Sequence, residues 1–162
     1  MFELTPRFRS KLACGVFLLV ASLSVNTQAA EPPAQPKNKT VITRPSNGWE
    51  TDDGVRRSMS AIQQAMASRQ QDIAADRLGA QDYQGLAKSI EENLAVAEKS
   101  SQAPVASLKA FQAIVAIDLR RSAELMRTGA TVKLQRAGAL GVPQTLNNYG
   151  QYFQHPGWVV AK

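Results

Sequence analysis

The residues best suited to bind a cofactor in this 162-residue chain are its single histidine and a methionine. His155 lies in the C-terminal stretch Y-G-Q-Y-F-Q-H-P-G-W, and Met59 lies near the start of the first apolar repeat. Imidazole and thioether are one axial pair that holds haem iron in proteins, and the same groups bind copper. A haem site formed by Met59 and His155 is therefore one alternative. A copper site with Met66 or another residue as a third ligand is a less favoured one.

Aromatic residues near His155 support a simpler interpretation. Only 6% of the residues are aromatic, yet several fall close to this histidine in sequence or in the expected fold. In that interpretation they close one end of the fold together with Met59, and His155 only forms hydrogen bonds near the surface. The predicted end cluster consists of Trp49, Tyr149, Tyr152, Phe153 and Trp158.

Two charged residues fall on predicted inward faces. Arg69 lies between Met66 and Ile73, and Asp118 follows Val115 by three residues. A buried charge needs a partner, so the sequence predicts an Arg69–Asp118 ion pair. The alternative is that both lie at the edge of their faces and contact water. No catalytic group, glycine-rich phosphate loop or zinc spacing accompanies them, so we predict a protein that is not an enzyme.

The elements that must position these residues are helices. Helix-forming residues dominate from Thr51 onwards, and apolar positions recur at helical spacing. We expect a first helix that ends at Gly79, a second that starts at Asp82, a third from Pro104 to Thr128 and a fourth over about 130–153. The inward positions of the first two are Val55, Met59, Ile62, Met66 and Ile73, then Tyr83, Leu86, Ile90, Leu94 and Ala97.

Short loops between these helices predict the fold class. The expectation is all-α, an antiparallel up-down-up-down four-helix bundle. In such a bundle the start of the first helix and the end of the fourth lie together. Pro143 lies inside the fourth helix, where a proline removes a backbone donor, so we expect a kink or break near Gly141-Pro143.

The first 29 residues have the pattern of a secretory signal peptide. Arg7, Arg9 and Lys11 precede an uncharged apolar run over residues 12–25, and small residues follow. This run is shorter than the roughly 20 apolar residues of a membrane-spanning helix. We therefore expect export to the periplasm, with no membrane anchor after cleavage. Cys14, the only cysteine, would be removed with the leader, which excludes covalent c-type haem.

The rest of the chain divides into a tether and a helical domain. Residues 30–48 are rich in proline and polar side chains and predict a flexible tether. Residues 49–162 form the predicted bundle and carry a net charge of only +2, against +6 for the whole chain. The high isoelectric point therefore does not indicate a nucleic-acid partner.

Residues 55–66, V-R-R-S-M-S-A-I-Q-Q-A-M, resemble the first helix of the periplasmic four-helix-bundle b-type cytochromes, a cytochrome c-prime-like family. The resemblance covers about residues 52–155. It implies a bundle that holds haem between a methionine, here Met59, and a histidine near the end of the fourth helix. Gly150 stands where that histidine belongs, and His155 follows five residues later, before Pro156. The resemblance therefore implies the fold more strongly than haem.

The chain is also similar to small exported bacterial proteins that end in Y-G-x-Y-F-x-H-P-G-W. Together these features predict an exported binding or interaction module without haem. Its partner would be a periplasmic protein or a small ligand, and such bundles also form homodimers through one helical face. The alternative is a haem-binding electron-transfer protein that uses Met59 and His155.

Overall fold

The computed structural model describes residues 43–100 and 102–159, and within these residues the chain is all-helical. The first helix is Asp53–Ala74 and the second is Ala80–Glu98. The third consists of Val105–Phe111, a π-helical turn Gln112–Ala116, and Ile117–Thr128. The fourth is Val132–Tyr152. The predicted leader and the tether up to residue 42 lie outside the described residues.

The connection between the first two helices differs from the prediction. The first helix ends at Ala74, and Asp76 turns the chain with a φ of 55°, a left-handed conformation in which aspartate is more common than most residues. Gly79, expected to end the first helix, instead precedes the second. Asp82 is not the first capping residue, since it lies one turn inside the second helix. Its carboxylate accepts a hydrogen bond of 3.0 Å from the Gly79 N–H, which satisfies a free donor at the helix start.

The inward positions of the first two helices are confirmed, because all ten predicted residues are buried. Met59 and Ile62 are completely inaccessible to solvent, as are Tyr83 and Ile90. One core includes these positions and the buried residues of the third and fourth helices. Their removal from water supplies the main driving force for folding.

The π-helical turn shifts the register of the third helix. A regular helix that buries Phe111 and Val115 would next bury positions near 118, 122 and 125. The structure buries Leu119, Ala123 and Met126, each one residue later. A π turn accommodates one additional residue per turn, which accounts for this shift. Sequence spacing alone does not reveal that additional residue.

This shift turns Asp118 out of the buried face, and the predicted Arg69–Asp118 pair does not form. Asp118 lies on the exposed face, where its carboxylate is 3.9 Å from the Arg121 guanidinium. Arg69 is 4.0 Å from Asp82 instead. The side chains of Arg69 and Asp118 are 48% and 50% exposed. Both therefore contact water, as in the alternative interpretation, and such pairs contribute little to stability.

Successive helices pack closely, whereas contacts between the first and the fourth are sparser. Gly138 permits one close approach, because a Cβ atom there would lie 2.7 Å from the Ser122 carbonyl oxygen of the third helix. Pro143 lies within the fourth helix, which continues through it without a break. In the described part of the chain, no helix combines the length and apolar character needed to cross a membrane.

Candidate ligand-binding site

The chain entering the first helix lies beside the chain leaving the fourth. Trp49 and Phe153 form an isolated parallel bridge. The Trp49 N–H donates to the Tyr152 carbonyl at 2.8 Å, and the Gln154 N–H donates to the Trp49 carbonyl at 2.8 Å. The Gln154 side chain also donates to the Gly48 carbonyl at 3.2 Å. The residues just before the first helix and just after the fourth therefore pair with each other at one end of the fold.

Tyr149 lies at the centre of an aromatic cluster at this end. Its ring stacks on Phe153 with centroids 5.4 Å apart and an interplanar angle of 13°. Phe111 meets both rings edge-on, at 6.4 Å and 5.9 Å. Trp158 contacts Tyr149 at 4.8 Å. Phe111 was absent from the predicted cluster, although the start of the third helix is expected at this end in an up-down bundle.

The remaining members of the predicted cluster occupy its edge. Trp49 and Tyr152 are partly buried and pack against the core, as Trp158 does. The guanidinium of Arg44 lies 5.7 Å from the centre of the Tyr152 ring, a favourable cation–π arrangement. Residues before Trp49, predicted to belong to the tether, thus contact the helical domain.

His155 connects the C-terminal segment to the first helix. Its Nδ1 atom lies 3.0 Å from the Tyr149 hydroxyl, and its Nε2 atom lies 3.5 Å from the Ser60 hydroxyl. Burial, with a smaller contribution from the positive charge of Arg56, lowers the pKa of His155 below its usual value. Burial raises the pKa of Tyr149. At neutral pH we therefore expect an uncharged imidazole hydrogen bonded to a protonated phenol.

The residues after the fourth helix fold back over the first and fourth helices. The backbone N–H of Trp158 donates to the His155 carbonyl at 3.0 Å. The Trp158 ring lies against Gly150, where a Cβ atom would come within 2.5 Å of it. Further along, the Gln63 side chain donates to the Val159 carbonyl. The segment 154–159 is thereby fixed between two surface cavities.

The first cavity, of about 540 Å³, is lined by two arginines and by no acidic side chain. Arg56 is held by Asp53 and by the Thr51 carbonyl. Arg57 is exposed, and in the part of the chain that the structure describes it has no carboxylate within ion-pair distance. The lining residues are Arg56, Arg57, Ser60, Ala61, Gln64, His155 and Pro156.

The second cavity, also of about 540 Å³, is a groove between the first and fourth helices. Its lining is mostly apolar, with glutamine amides and one serine hydroxyl as polar groups and no charged side chain. Leu140 is 53% exposed on its wall. The lining comprises Ser60, Gln63, Gln64, Met66, Ala67, Gln70, Ile73, Ala74, Ala139, Leu140, Pro143, Leu146 and Val159.

Apart from His155 and Met66, the residues that line these two cavities were not predicted to belong to a site. Their only signal is helical spacing: Arg56, Ser60, Gln63 and Gln64 flank the buried stripe of the first helix. The groove exists because the first and fourth helices contact each other only sparsely. These helices are distant in sequence, so their spacing cannot be read from the sequence pattern.

Ser60, His155 and Tyr149 are arranged like a nucleophile, a base and an orienting group, but they lack the chemistry of a catalytic triad. The third group is an uncharged phenol, which cannot stabilise an imidazolium as a carboxylate does. Ser60 lies inside a helix, where the backbone N–H groups that follow it are already hydrogen bonded. They cannot form an oxyanion hole.

The described residues do not fit a haem held by Met59 and His155. Met59 is 0% exposed and lines neither cavity, whereas His155 lines the first, so neither cavity brings the two side chains together. Met66 lines the groove while His155 lines the other cavity, so they do not offer copper a common site. Among the described residues, no group of three or more His, Cys, Asp or Glu side chains could hold a metal ion.

Comparison with known proteins finds no match among protein-family models, curated proteins or solved structures. The resemblance to b-type cytochromes therefore stays a prediction. The functional argument rests on the geometry of the two cavities.

Proposed function

We propose that this chain is an exported, non-enzymatic binding module that holds a small apolar ligand in the groove between its first and fourth helices. The observation that carries the proposal is the groove itself, about 540 Å³ in volume and lined without a charged side chain. Small-molecule sites are typically concave, mostly apolar and of about 300–1,000 Å³. The glutamine side chains on its wall supply the few hydrogen-bonding groups that orient a ligand.

We also propose an antiparallel up-down-up-down arrangement of the four helices. Near the start of the fourth helix, Arg136 donates to the Ile73 and Ala74 carbonyls at the end of the first, at 2.8 Å and 3.0 Å. After the second helix, the Ser100 hydroxyl donates to Asp52, the residue that caps the first. These contacts support neighbouring helices that run in opposite directions.

A kink near Gly141-Pro143 is part of the same proposal. Pro143 cannot donate the hydrogen bond that a helix interior requires, and its ring crowds the preceding turn. It also lines the groove. A bend at this position would turn part of the fourth helix away from the first and widen the space between them.

The proposed location is the periplasm, and the support is the leader pattern in residues 1–29. The proposed partner is a small molecule rather than nucleic acid, because the helical domain carries a net charge of only +2. A groove formed within one chain does not require a homodimer.

Binding of N-phenyl-1-naphthylamine, an uncharged dye that fluoresces in apolar surroundings, tests the function. We expect saturable fluorescence with the wild-type protein. Ala67 is exposed and lines the groove, so Ala67→Phe should fill it and weaken dye binding by about tenfold or more. Ala95→Phe is the matched control, because Ala95 is exposed on the second helix and lines neither cavity.

Circular dichroism of both variants checks that they are folded. The proposal fails if the wild-type protein does not bind the dye. It also fails if folded Ala67→Phe and Ala95→Phe proteins bind the dye as tightly as the wild type does.

A further inference from the structure

The groove and the first cavity are adjacent, because two residues of the first helix line both. Ser60 and Gln64 line both of them. His155 lines the first cavity and lies 3.5 Å from Ser60. Val159 lines the groove and accepts a hydrogen bond from Gln63. A molecule long enough to extend past Ser60 and Gln64 would therefore contact both spaces.

Of the two adjacent cavities, only the first has positively charged residues in its lining. The groove has no charged lining, whereas the other cavity carries two arginines and no carboxylate. Arg56 is engaged with Asp53, which leaves Arg57 as the guanidinium without a counterion among the described residues. The Ser60 hydroxyl and the imidazole of His155 face the same cavity. These groups can bind an anion at the end of the first helix that adjoins the apolar groove.

The length of the groove favours a chain-like ligand over a small ion. The groove extends along the first helix from Ser60 to Ala74. At 1.5 Å per residue this distance is about 21 Å. A short anion would use only the arginine end, and an uncharged hydrocarbon would use only the groove.

We propose that the ligand is a single-chain amphiphile with an anionic head group, such as a long-chain carboxylate. Arg57, Ser60 and His155 contact the head, and the apolar chain lies between the first and fourth helices. This proposal rests on the proposed function, because it names the ligand class of the same groove. A free carboxylate and a single-chain phospholipid share the necessary chemistry.

Displacement of N-phenyl-1-naphthylamine at pH 8 distinguishes these contributions. The competitors are decanoate and decyltrimethylammonium below their micelle concentrations and 1-decanol below its solubility limit, with acetate as a short anion. We expect decanoate to displace the dye at the lowest concentration and acetate not to displace it. High salt should weaken decanoate binding and leave decanol binding unchanged. Lysophosphatidylglycerol in place of decanoate tests the phospholipid source.

Substitution of Arg57 tests the head-group contact directly. Arg57→Gln should weaken decanoate binding by about two- to fivefold, the order expected for an exposed charge pair, and should leave decanol binding unchanged. Arg121→Gln is the matched control, since Arg121 is an exposed arginine that lines neither cavity.

The two proposals fail in different ways. The amphiphile proposal is overturned, and the groove proposal kept, if decanol competes as well as decanoate or if Arg57→Gln leaves decanoate binding unchanged. The amphiphile proposal is likewise overturned if calorimetry detects no decanoate binding to the wild-type protein. Both proposals are overturned if the wild-type protein does not bind the dye.

Discussion

Trp158 packs so closely on the fourth helix that only glycine fits beneath it. A Cβ atom at Gly150 would lie 2.5 Å from the Trp158 ring, which is closer than real Cβ contacts allow. We expect Gly150→Ala to displace Trp158 and to lower the free energy of unfolding by about 1–3 kcal/mol. Urea denaturation followed by circular dichroism measures the change.

Gly85 provides the matched control for Gly150. It also lies within a helix, but a Cβ atom there would meet no other atom within 4 Å. Gly85→Ala should raise the free energy of unfolding by about 0.5–1 kcal/mol, because alanine favours the helix. Equal effects of the two substitutions would show that the packing of Trp158 on Gly150 is unimportant.

His155 makes stability depend on pH. Its pKa in the folded protein is below its usual value, so between these two values the unfolded chain binds more protons than the folded one. The free energy of unfolding should therefore be highest above about pH 6.5, the usual histidine value, and should fall as the pH drops towards the lowered pKa. Urea denaturation between pH 8 and pH 5 measures this trend.

The groups around the imidazole identify it as the source of this trend. Tyr149 and Ser60 contact its two nitrogens, Trp158 packs on its ring, and Arg56 opposes its protonation. His155 is the only histidine in the chain. His155→Gln should therefore flatten the pH dependence in this range, and a slope unchanged by the substitution would contradict the assignment.

At the scale of the helices, the π-helical turn accommodates one additional residue between two regular segments. Deleting Ala113, an exposed residue of that turn, should convert it to a regular helical turn and leave both flanking faces in place. We expect cooperative unfolding with a loss of at most about 2 kcal/mol. Urea denaturation of the deletion variant measures it.

Lys88 serves as the control deletion, because it is exposed within the regular second helix. Its removal should rotate the following residues by about 100° relative to the core. Ile90 and Leu94 would then leave their buried positions, and cooperative unfolding should be lost. Equal tolerance of the two deletions would contradict the register argument.

The sequence predicts helices better than it predicts their ends and relative positions. The 3.6-residue stripe identifies the buried faces of the first two helices because burial dominates that pattern. This stripe does not reveal that Asp76, just after the first helix, adopts a positive φ. Nor does it reveal that the third helix contains an additional residue. The additional residue turns Asp118 out of the buried face, so the Arg69–Asp118 pair is absent, and both residues contact water as in the alternative interpretation. Both features depend on backbone conformations that several residue types adopt.

The candidate site was only partly predictable. His155, Trp158 and the aromatic residues near them are rare types concentrated in one stretch, so composition reveals them. Arg57 and Gln64 look like ordinary exposed residues of a helix. Their proposed role depends on which neighbouring helix leaves them uncovered, and that is a property of the tertiary packing.

At the scale of the whole molecule, the resemblance to b-type cytochromes has a direct test. Met59 is completely buried, so we expect it to act as a core residue: Met59→Ala should cost about 2–5 kcal/mol and Met59→Leu less than about 1.5 kcal/mol. Haem titration of the wild-type protein, followed in the visible spectrum, should give no Soret band that depends on Met59 or His155. A band lost in Met59→Leu would restore the haem alternative.

The Trp49–Phe153 pairing has a consequence for the order in which the protein acquires its function. Ser60 and His155 are 95 residues apart in sequence, and Gln63 and Val159 are 96 apart. Such distant contacts close large loops and form late in folding. During synthesis the first helix is complete long before the last residues are added. The proposed site therefore forms only after residues 155–159 have been synthesised, and a chain terminated before them would lack it.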